Sequence, residues 1–137
     1  MPRILINLDV DDVERAIRFY TEAFDLRLGR RFDAEFVELI GAEAPIYLLA
    51  KANGSQPFKS ASVGRDYGRH WTPMHLDFVV ENLDAALARA QAAGARVESE
   101  ISEHAYGRLV LCSDPFGHGF CLLEFRGRGY GELVRTG

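Results

Sequence analysis

The sequence predicts an α+β fold of two βαβββ modules, each a strand, a helix and three further strands. One observation is a repeat, because apolar and capping residues of the first half recur 70 positions later. The other is periodicity, because each half has one segment with apolar residues at helical spacing among segments that alternate as strands do. The matched pairs are Leu8 and Phe78, Val10 and Val80, Asp12 and Asn82, Val13 and Leu83, Ala16 and Ala86, and Ile17 and Leu87.

The first half begins with a strand pattern over residues 3–10, which continues into a helix over 11–24. Asp11, followed three residues later by Glu14, predicts a capping box at the start of this helix. Short runs with strand composition then predict three more strands, at residues 26–32, 35–41 and 44–51.

A connection over residues 52–72 separates the halves, and its Gly, Ser and charged residues show no sustained period. The second half then repeats the order, and Asn82 and Gly94 are suited to cap the two ends of its helix. Its elements are a strand over 75–80, a helix over 83–93 and strands over 96–101, 107–113 and 119–125. We therefore expect a single domain with module one at about 1–51, the loop at 52–72, module two at 73–126 and a tail at 127–137.

Length and charge exclude several classes of protein. The 137 residues suit one domain, and 47% hydrophobic residues can form a core without disulfides. A net charge of -4 disfavours nucleic acid as a partner. The first twenty residues lack the apolar stretch of a signal peptide, and no run is long enough to span a membrane. Two cysteines without a CxxC spacing fit free thiols, so we expect a cytoplasmic protein with no membrane partner.

Three segments carry a resemblance to a known superfamily. They are LDVDDVERAIRFYTEAF near the start, HLDFVVENLDAALARAQAAGARV at the second module, and DPFGHGFCLLEF near the end. Together they resemble the vicinal-oxygen-chelate (VOC) superfamily of glyoxalase I, extradiol dioxygenases, fosfomycin resistance enzymes and metal-free bleomycin resistance proteins. The resemblance implies paired modules whose mixed sheets curl around a cup, often in a homodimer.

Metal-using members of the superfamily take one ligand from the first and the last strand of each module. The matching positions here are Leu5, Tyr47, His75 and Cys121. Only His75 retains the ligand type of metal-binding relatives, whereas a divalent ion needs three or four donors. We therefore expect no metal and no cofactor, with a divalent metal as the alternative.

Alternation along each strand predicts which residues line the cup. If the turn over 114–119 is centred between Phe116 and Gly117, Cys112 lies opposite Cys121, which places Arg108 and Val110 on the cup face. Trp71, in the long loop, is expected either to close over the cup or to anchor the loop. The expected substrate-binding residues are Leu5, Asn7, Tyr47, Leu49, His75, Asp77, Arg108, Cys121 and Trp71.

Two of these residues carry alternatives. His75 is the candidate catalytic residue, and with Asp77 it forms either a hydrogen-bonded couple or part of an iron site. The iron site would require a second imidazole from the list His70, His104 and His118, and a zinc site of His75, Cys112 and Cys121 is a further possibility. Arg108 would anchor an anionic ligand, unless it forms a structural ion pair with Asp77 or Glu124.

The leading hypothesis is a homodimeric glyoxalase/bleomycin resistance-like protein that binds a small organic molecule without a metal. One alternative is a metal-dependent lyase or dioxygenase with an unusual ligand set around His75. If the protein is an enzyme, the resemblance implies a VOC-type lyase, isomerase or dioxygenase. A second alternative, from a different class, is a non-catalytic interaction module.

Overall fold

The computed structural model describes residues 1–135, and its elements follow the predicted two-module order. The first module contains β1 (Ile6–Val10), α1 (Val13–Phe24), β2 (Arg27–Asp33), β3 (Phe36–Ile40) and β4 (Ile46–Ala50). The second contains β5 (Leu76–Val79), α2 (Leu83–Ala93), β6 (Arg96–Val97), β7 (Ser102–His104), β8 (Gly107–Ser113) and β9 (Gly119–Phe125). A 3-10 helix, Gly129–Leu133, follows within the predicted tail, whose residues 136 and 137 lie outside the described residues.

Each module forms one mixed sheet with the same strand order. The first sheet runs β1-β4-β3-β2, and the second runs β5-β9-β8-β6 with β7 also paired to β8. The first and last strands of each module, β1 with β4 and β5 with β9, are parallel, and the other pairs are antiparallel. The predicted α+β fold of two βαβββ modules is confirmed.

Helix ends agree with the sequence at α2 and differ by one residue at α1. Asn82 accepts a hydrogen bond from Ala85 N at 3.1 Å, and Gly94 closes α2 at a φ of 117°. At α1 the cap is Asp12, which accepts from Arg15 N at 3.1 Å, so the expected capping box of Asp11 and Glu14 is wrong. The cap position follows the repeat, in which Asp12 corresponds to Asn82.

The predicted strand over 96–101 is interrupted in the structure. Glu98 N donates to Leu111 O at 2.8 Å, but Leu111 N donates to the Ser99 hydroxyl at 2.9 Å. A side chain thus replaces the backbone partner that a continuous ladder would need. The segment therefore forms two short strands, β6 and β7, on either side of this point.

The core lies between the helices and one face of each sheet. Helix α1 contacts β2, β3 and β4, α2 contacts β9, and the two helices contact each other. Phe24 of α1 joins the modules, because its ring stacks on Phe78 at 3.9 Å and meets Phe120 edge-on at 5.2 Å. We call the sheet face opposite the helices the open face. No helix within residues 1–135 is long and apolar enough to cross a membrane.

Candidate ligand site on the open faces

A hydrogen-bonded network of three side chains lies on the open face of the first sheet. Glu38 on β3 and Tyr47 on β4 are ladder partners, and the Tyr47 hydroxyl donates to Glu38 Oε2 at 3.1 Å. Arg30 on β2 donates to both oxygens of the same carboxylate, from Nε at 3.0 Å and from Nη2 at 2.7 Å. Tyr47 is therefore oriented by a bidentate ion pair.

The ion pair leaves a charged group available to a ligand. The Arg30 hydrogen bonds hold the pKa of Glu38 down at about 2, so this carboxylate is ionised at neutral pH. The Arg30 side chain remains 68% exposed, so part of its guanidinium faces solvent. Gly29 makes room for the pair, because a Cβ at this position would lie 2.7 Å from Glu38 Oε1.

Aromatic rings flank this network. The Phe32 and Phe36 ring centroids are 4.5 Å apart, and they lie 6.2 and 5.8 Å from the Tyr47 ring. The Arg30 guanidinium lies 5.2 Å from the centre of the Phe32 ring. An apolar surface with a few oriented polar groups is typical of a small-molecule site. Neither Arg30 nor Glu38 was expected from the sequence as a site residue, although both lie in predicted strands.

The connecting loop is anchored by residues other than Trp71. Arg65 donates to Asp9 on β1 at 2.8 Å, and the Tyr67 hydroxyl donates to Lys51 O at 2.8 Å. Trp71 is 82% exposed, so the alternative in which its indole anchors the loop is wrong. Contact between Trp71 and a ligand remains a prediction.

A second polar group occupies the open face of the second sheet. Asp77 on β5 and Cys121 on β9 are ladder partners, and His75 Nε2 lies 3.2 Å from Asp77 Oδ1. One ligand atom from each of the three residues lies within 4.8 Å of the other two. The expected His–Asp couple is present. Burial, with a contribution from Asp77, raises the pKa of Cys121 to about 11, so the thiol is protonated at neutral pH.

The register between β8 and β9 differs by one residue from the expected one. Leu111 lies opposite Cys121, and Cys112 lies opposite Phe120 and belongs to the core. The reason is a five-residue loop, closed by a hydrogen bond from Asp114 N to His118 O at 2.9 Å. Because a shift of one residue turns a side chain to the opposite face, Cys112 cannot join His75 and Cys121 in the proposed zinc site.

The same shift removes Arg108 and Val110 from the open face. Arg108 lies opposite Glu124, with its Nε 3.7 Å from Glu124 Oε2, and its Nη2 donates to Asp84 at 2.8 Å. The expected position of Arg108 in the cup is wrong, and the alternative of an ion pair with Glu124 is correct. Val110 is a core residue.

The iron hypothesis lacks its second imidazole. Within residues 1–135, His75, Asp77 and Cys121 form the one group of three or more suitable ligands, and it includes no other histidine. The rings of the other three histidines bond elsewhere, His70 to Gly68 O, His104 to Ser102 and His118 to Asp114.

Part of the predicted tail folds against the second sheet. The Tyr130 ring, from the 3-10 helix, meets the Phe125 ring at 4.8 Å and the Tyr106 ring at 5.1 Å. Burial and the nearby Asp77 carboxylate raise the pKa of Tyr130. Tyr130 therefore packs on the same face of the second sheet as Asp77 and Cys121, and the glycine-rich sequence around it carried no signal of this packing.

Seven of the nine expected substrate-binding residues fall into two sets, because Arg108 faces the helices and Trp71 lies exposed in the loop. Asn7, Tyr47 and Leu49 share the open face of the first sheet, and Leu5 directly precedes β1. His75, Asp77 and Cys121 share the open face of the second. Two mixed βαβββ sheets, each with a helix on one face and polar groups on the other, define the fold of the VOC superfamily.

The comparisons agree with this class. The model of the glyoxalase-like domain family matches residues 5–123, and the chain belongs to this family. An uncharacterized protein of Mycobacterium tuberculosis, Rv0887c, is 29% identical over an alignment of 136 positions, which covers 88% of this chain and 73% of that protein.

Solved structures share the fold at low sequence identity. The fosfomycin resistance protein FosX from Listeria monocytogenes has a TM-score of 0.72 and 18% identity over 98% of each chain. A glyoxalase-related enzyme from Fulvimarina pelagi has a TM-score of 0.70 and 19% identity, covering 90% of this chain and 88% of that one. A FosX variant was solved with Mn(II) and 1S,2S-dihydroxypropylphosphonic acid; its TM-score is 0.66 at 18% identity, covering 87% of this chain and 86% of that one.

Proposed function

We propose that this glyoxalase-like protein binds a small organic molecule on the open faces of its sheets, without a metal. The observation that carries the proposal is the network of Arg30, Glu38 and Tyr47 beside Phe32 and Phe36. The rings offer apolar contact, and the free part of the Arg30 guanidinium offers donors to an anionic group. Arg30 takes the role that the sequence had suggested for Arg108.

The ligand positions of the superfamily support metal independence. Leu5 has no donor atom, and the Tyr47 hydroxyl is committed to Glu38. Cys121 carries a soft thiol with a raised pKa, which is a poor ligand for a hard ion such as Mn(II). His75 alone retains its ligand type, and with the neighbouring Asp77 it offers a hard ion two protein donors, fewer than the three or four that such an ion needs.

A ligand screen by thermal unfolding tests the binding proposal. We would use dihydroxypropylphosphonic acid with a panel of small anionic and neutral organic compounds. A ligand at 100 times its Kd should stabilise the fold by about 2.7 kcal/mol. Arg30→Ala should abolish the shift caused by an anionic hit, whereas Arg18→Ala on the exposed side of α1 should not. A broad screen without any shift would instead favour the non-catalytic interaction module.

A metal-dependent lyase is the second candidate, because His75, Asp77 and Cys121 offer three donors close together. Imidazole, carboxylate and thiolate are ligands that suit zinc, and zinc fits this set better than manganese. A metal held by these residues would polarise an oxygen atom of a bound molecule. A dioxygenase would need a redox-active metal, for which the missing second imidazole is a poor fit.

Metal analysis separates the two candidates. Protein purified without chelators should contain no stoichiometric metal if the first candidate is correct, and one equivalent of zinc, nickel, iron or manganese would overturn metal independence. In that case His75→Ala should lose the metal and keep the fold, whereas His104→Ala should keep both.

We further propose a homodimer in which a second copy covers the open faces. Leu5, Phe32 and Val79 are large apolar residues that stay exposed in the single chain. Sedimentation tests this point, because a 15.3 kDa species at micromolar concentration would exclude a stable dimer. The two free cysteines support the cytoplasm as the proposed location.

A further inference from the structure

A cavity of about 240 Å³ lies at the seam between the two modules, between β1 and β5. We call it the seam cavity. Its walls are mostly apolar side chains from α1 and from the helix-facing side of the strands, namely Ile6, Leu8, Tyr20, Leu76, Phe78 and Phe120. Asn7 and His75 of the open faces also line it. An apolar cavity of about 150 Å³ can bind benzene, so the seam cavity has room for a molecule with one ring.

His118 lines this cavity and is held in place by a buried carboxylate. Its Nδ1 lies 2.7 Å from Asp114 Oδ2, and the Asp114 side chain is fully buried. The same carboxylate accepts the backbone N–H groups of Phe116 at 2.8 Å and His118 at 2.9 Å, and the Tyr20 hydroxyl. An ionised carboxylate only accepts hydrogen bonds, so Nδ1 carries the proton that it donates to Asp114.

The other ring nitrogen of His118 is then free to accept. In the neutral ring, a proton on Nδ1 makes Nε2 the acceptor. No group within residues 1–135 donates to Nε2, and the side chain is 28% exposed. Within residues 1–135, Arg108 Nε is the one buried side-chain nitrogen or oxygen atom without a hydrogen-bond partner. The unpartnered Nε2 of His118 is therefore accessible to solvent. The sequence assigned His118 to the turn only, whereas the structure also places it in the wall of a cavity.

Access to the seam cavity is from its exposed end. Among the lining residues, Asn7, Met74 and His75 are exposed to solvent, whereas Tyr20 and Phe120 are buried. A ligand can therefore enter from solvent and place its apolar part among the buried rings.

We propose that the seam cavity is a binding site for a compact single-ring molecule with one hydroxyl group, such as a phenol. The ring packs against the apolar walls, and the hydroxyl donates to His118 Nε2. Asp114 acts as a positioning residue that fixes the tautomer and the orientation of the imidazole. The site uses neither the Arg30 network nor Asp77 and Cys121, and His75 lines the cavity without taking part in the proposed hydrogen bond, so the site does not depend on the proposed function.

Titration with 4-nitrophenol, followed by its absorbance and by calorimetry, tests this site. We expect saturable binding with one equivalent. Loss of the hydrogen bond should weaken binding by about tenfold or more, both for 4-nitroanisole, which lacks the hydroxyl, and for His118→Asn. Asparagine retains a donor toward Asp114 but has no group at the position of Nε2. His104→Asn, on β7, is the matched control and should bind 4-nitrophenol as the wild type does.

A second variant provides an independent test in case His118→Asn does not fold. Ile6→Phe narrows the cavity and leaves His118 unchanged, and it should also weaken binding of 4-nitrophenol. Near-ultraviolet circular dichroism reports whether each variant retains its packing. Absence of saturable binding to the wild type would overturn the proposal. So would equal affinity for the two probes, or unchanged affinity in a folded His118→Asn or Ile6→Phe variant.

Discussion

The Arg108 guanidinium donates to the Asp84 carboxylate at 2.8 Å and thereby connects β8 to the first turn of α2. Glu124 on β9 accepts a hydrogen bond from Leu83 N at 3.0 Å and supplements the cap of the same helix. The Arg108 side chain is 13% exposed. These contacts attach α2 to its sheet on the face away from the open face.

Arg108→Ala should therefore reduce stability and leave ligand affinity unchanged. The substitution removes one of the two arginines near Glu124 and both hydrogen bonds to Asp84, and we expect a loss of about 1–3 kcal/mol in the free energy of unfolding. Urea denaturation measures this loss. Arg128→Ala is the control, because Arg128 pairs with Glu132 on the surface, and its loss should cost less than about 1 kcal/mol. Equal stability of wild type and Arg108→Ala would contradict the structural role.

Glu38 should make the protein sensitive to acid. Its pKa is about 2 in the folded chain against 4.5 without the Arg30 contacts, so it stabilises the fold above pH 4.5. This stabilisation is lost as the pH falls from 4.5 towards 2, because the unfolded chain binds the proton first. Glu38→Gln should therefore flatten the fall of unfolding free energy across this window, whereas Glu43→Gln should reproduce the wild-type curve. Parallel curves for wild type and Glu38→Gln would contradict the prediction.

Phe24 should contribute strongly to the stability of the packing between the two modules. Phe24→Ala removes the ring that stacks on Phe78 at 3.9 Å and meets Phe120. We expect a loss of about 3 kcal/mol in the free energy of unfolding, because the apolar surface of the ring is no longer buried and a cavity remains in its place. Phe58→Ala is the matched control, since Phe58 is 68% exposed and its loss should change stability by less than about 0.5 kcal/mol. Similar effects of the two substitutions would show that the seam is not closely packed.

Tyr130 should protect the Cys121 thiol. Tyr130→Ala opens the surface beside Phe125, so a disulfide reagent such as DTNB should label Cys121 faster than in the wild type. Cys121→Ser identifies the reacting thiol, because Cys112 is fully buried and should react only on unfolding. An unchanged labelling rate in folded Tyr130→Ala would indicate that the 3-10 helix does not cover this site.

Most of the fold could be predicted because its signals are local. The cap at Asn82, the glycine at the end of α2 and the repeat between Leu8 and Phe78 each depend on a few neighbouring residues. Strand alternation also placed Tyr47 and His75 on the correct faces, since the side-chain period of a strand is two. These features need no knowledge of the rest of the chain.

Contacts between distant segments could be predicted only where a register was known. The turn after Ser113 holds five residues instead of an even number, and this difference moves Arg108 and Cys112 to the face against the helices. The packing of Tyr130 on Phe125 depends on a short 3-10 helix in a glycine-rich segment with no periodicity.

The sequence by itself determined the two modules and their order, since residue type and local period carry that information. Tertiary structure alone decided that Arg30 pairs with Glu38 beside Tyr47, that Tyr130 packs on Phe125, and that His118 lines a cavity. The physical reason is that each of these sites combines side chains from separate strands or loops. Their distances depend on strand register and module packing, which no local pattern encodes.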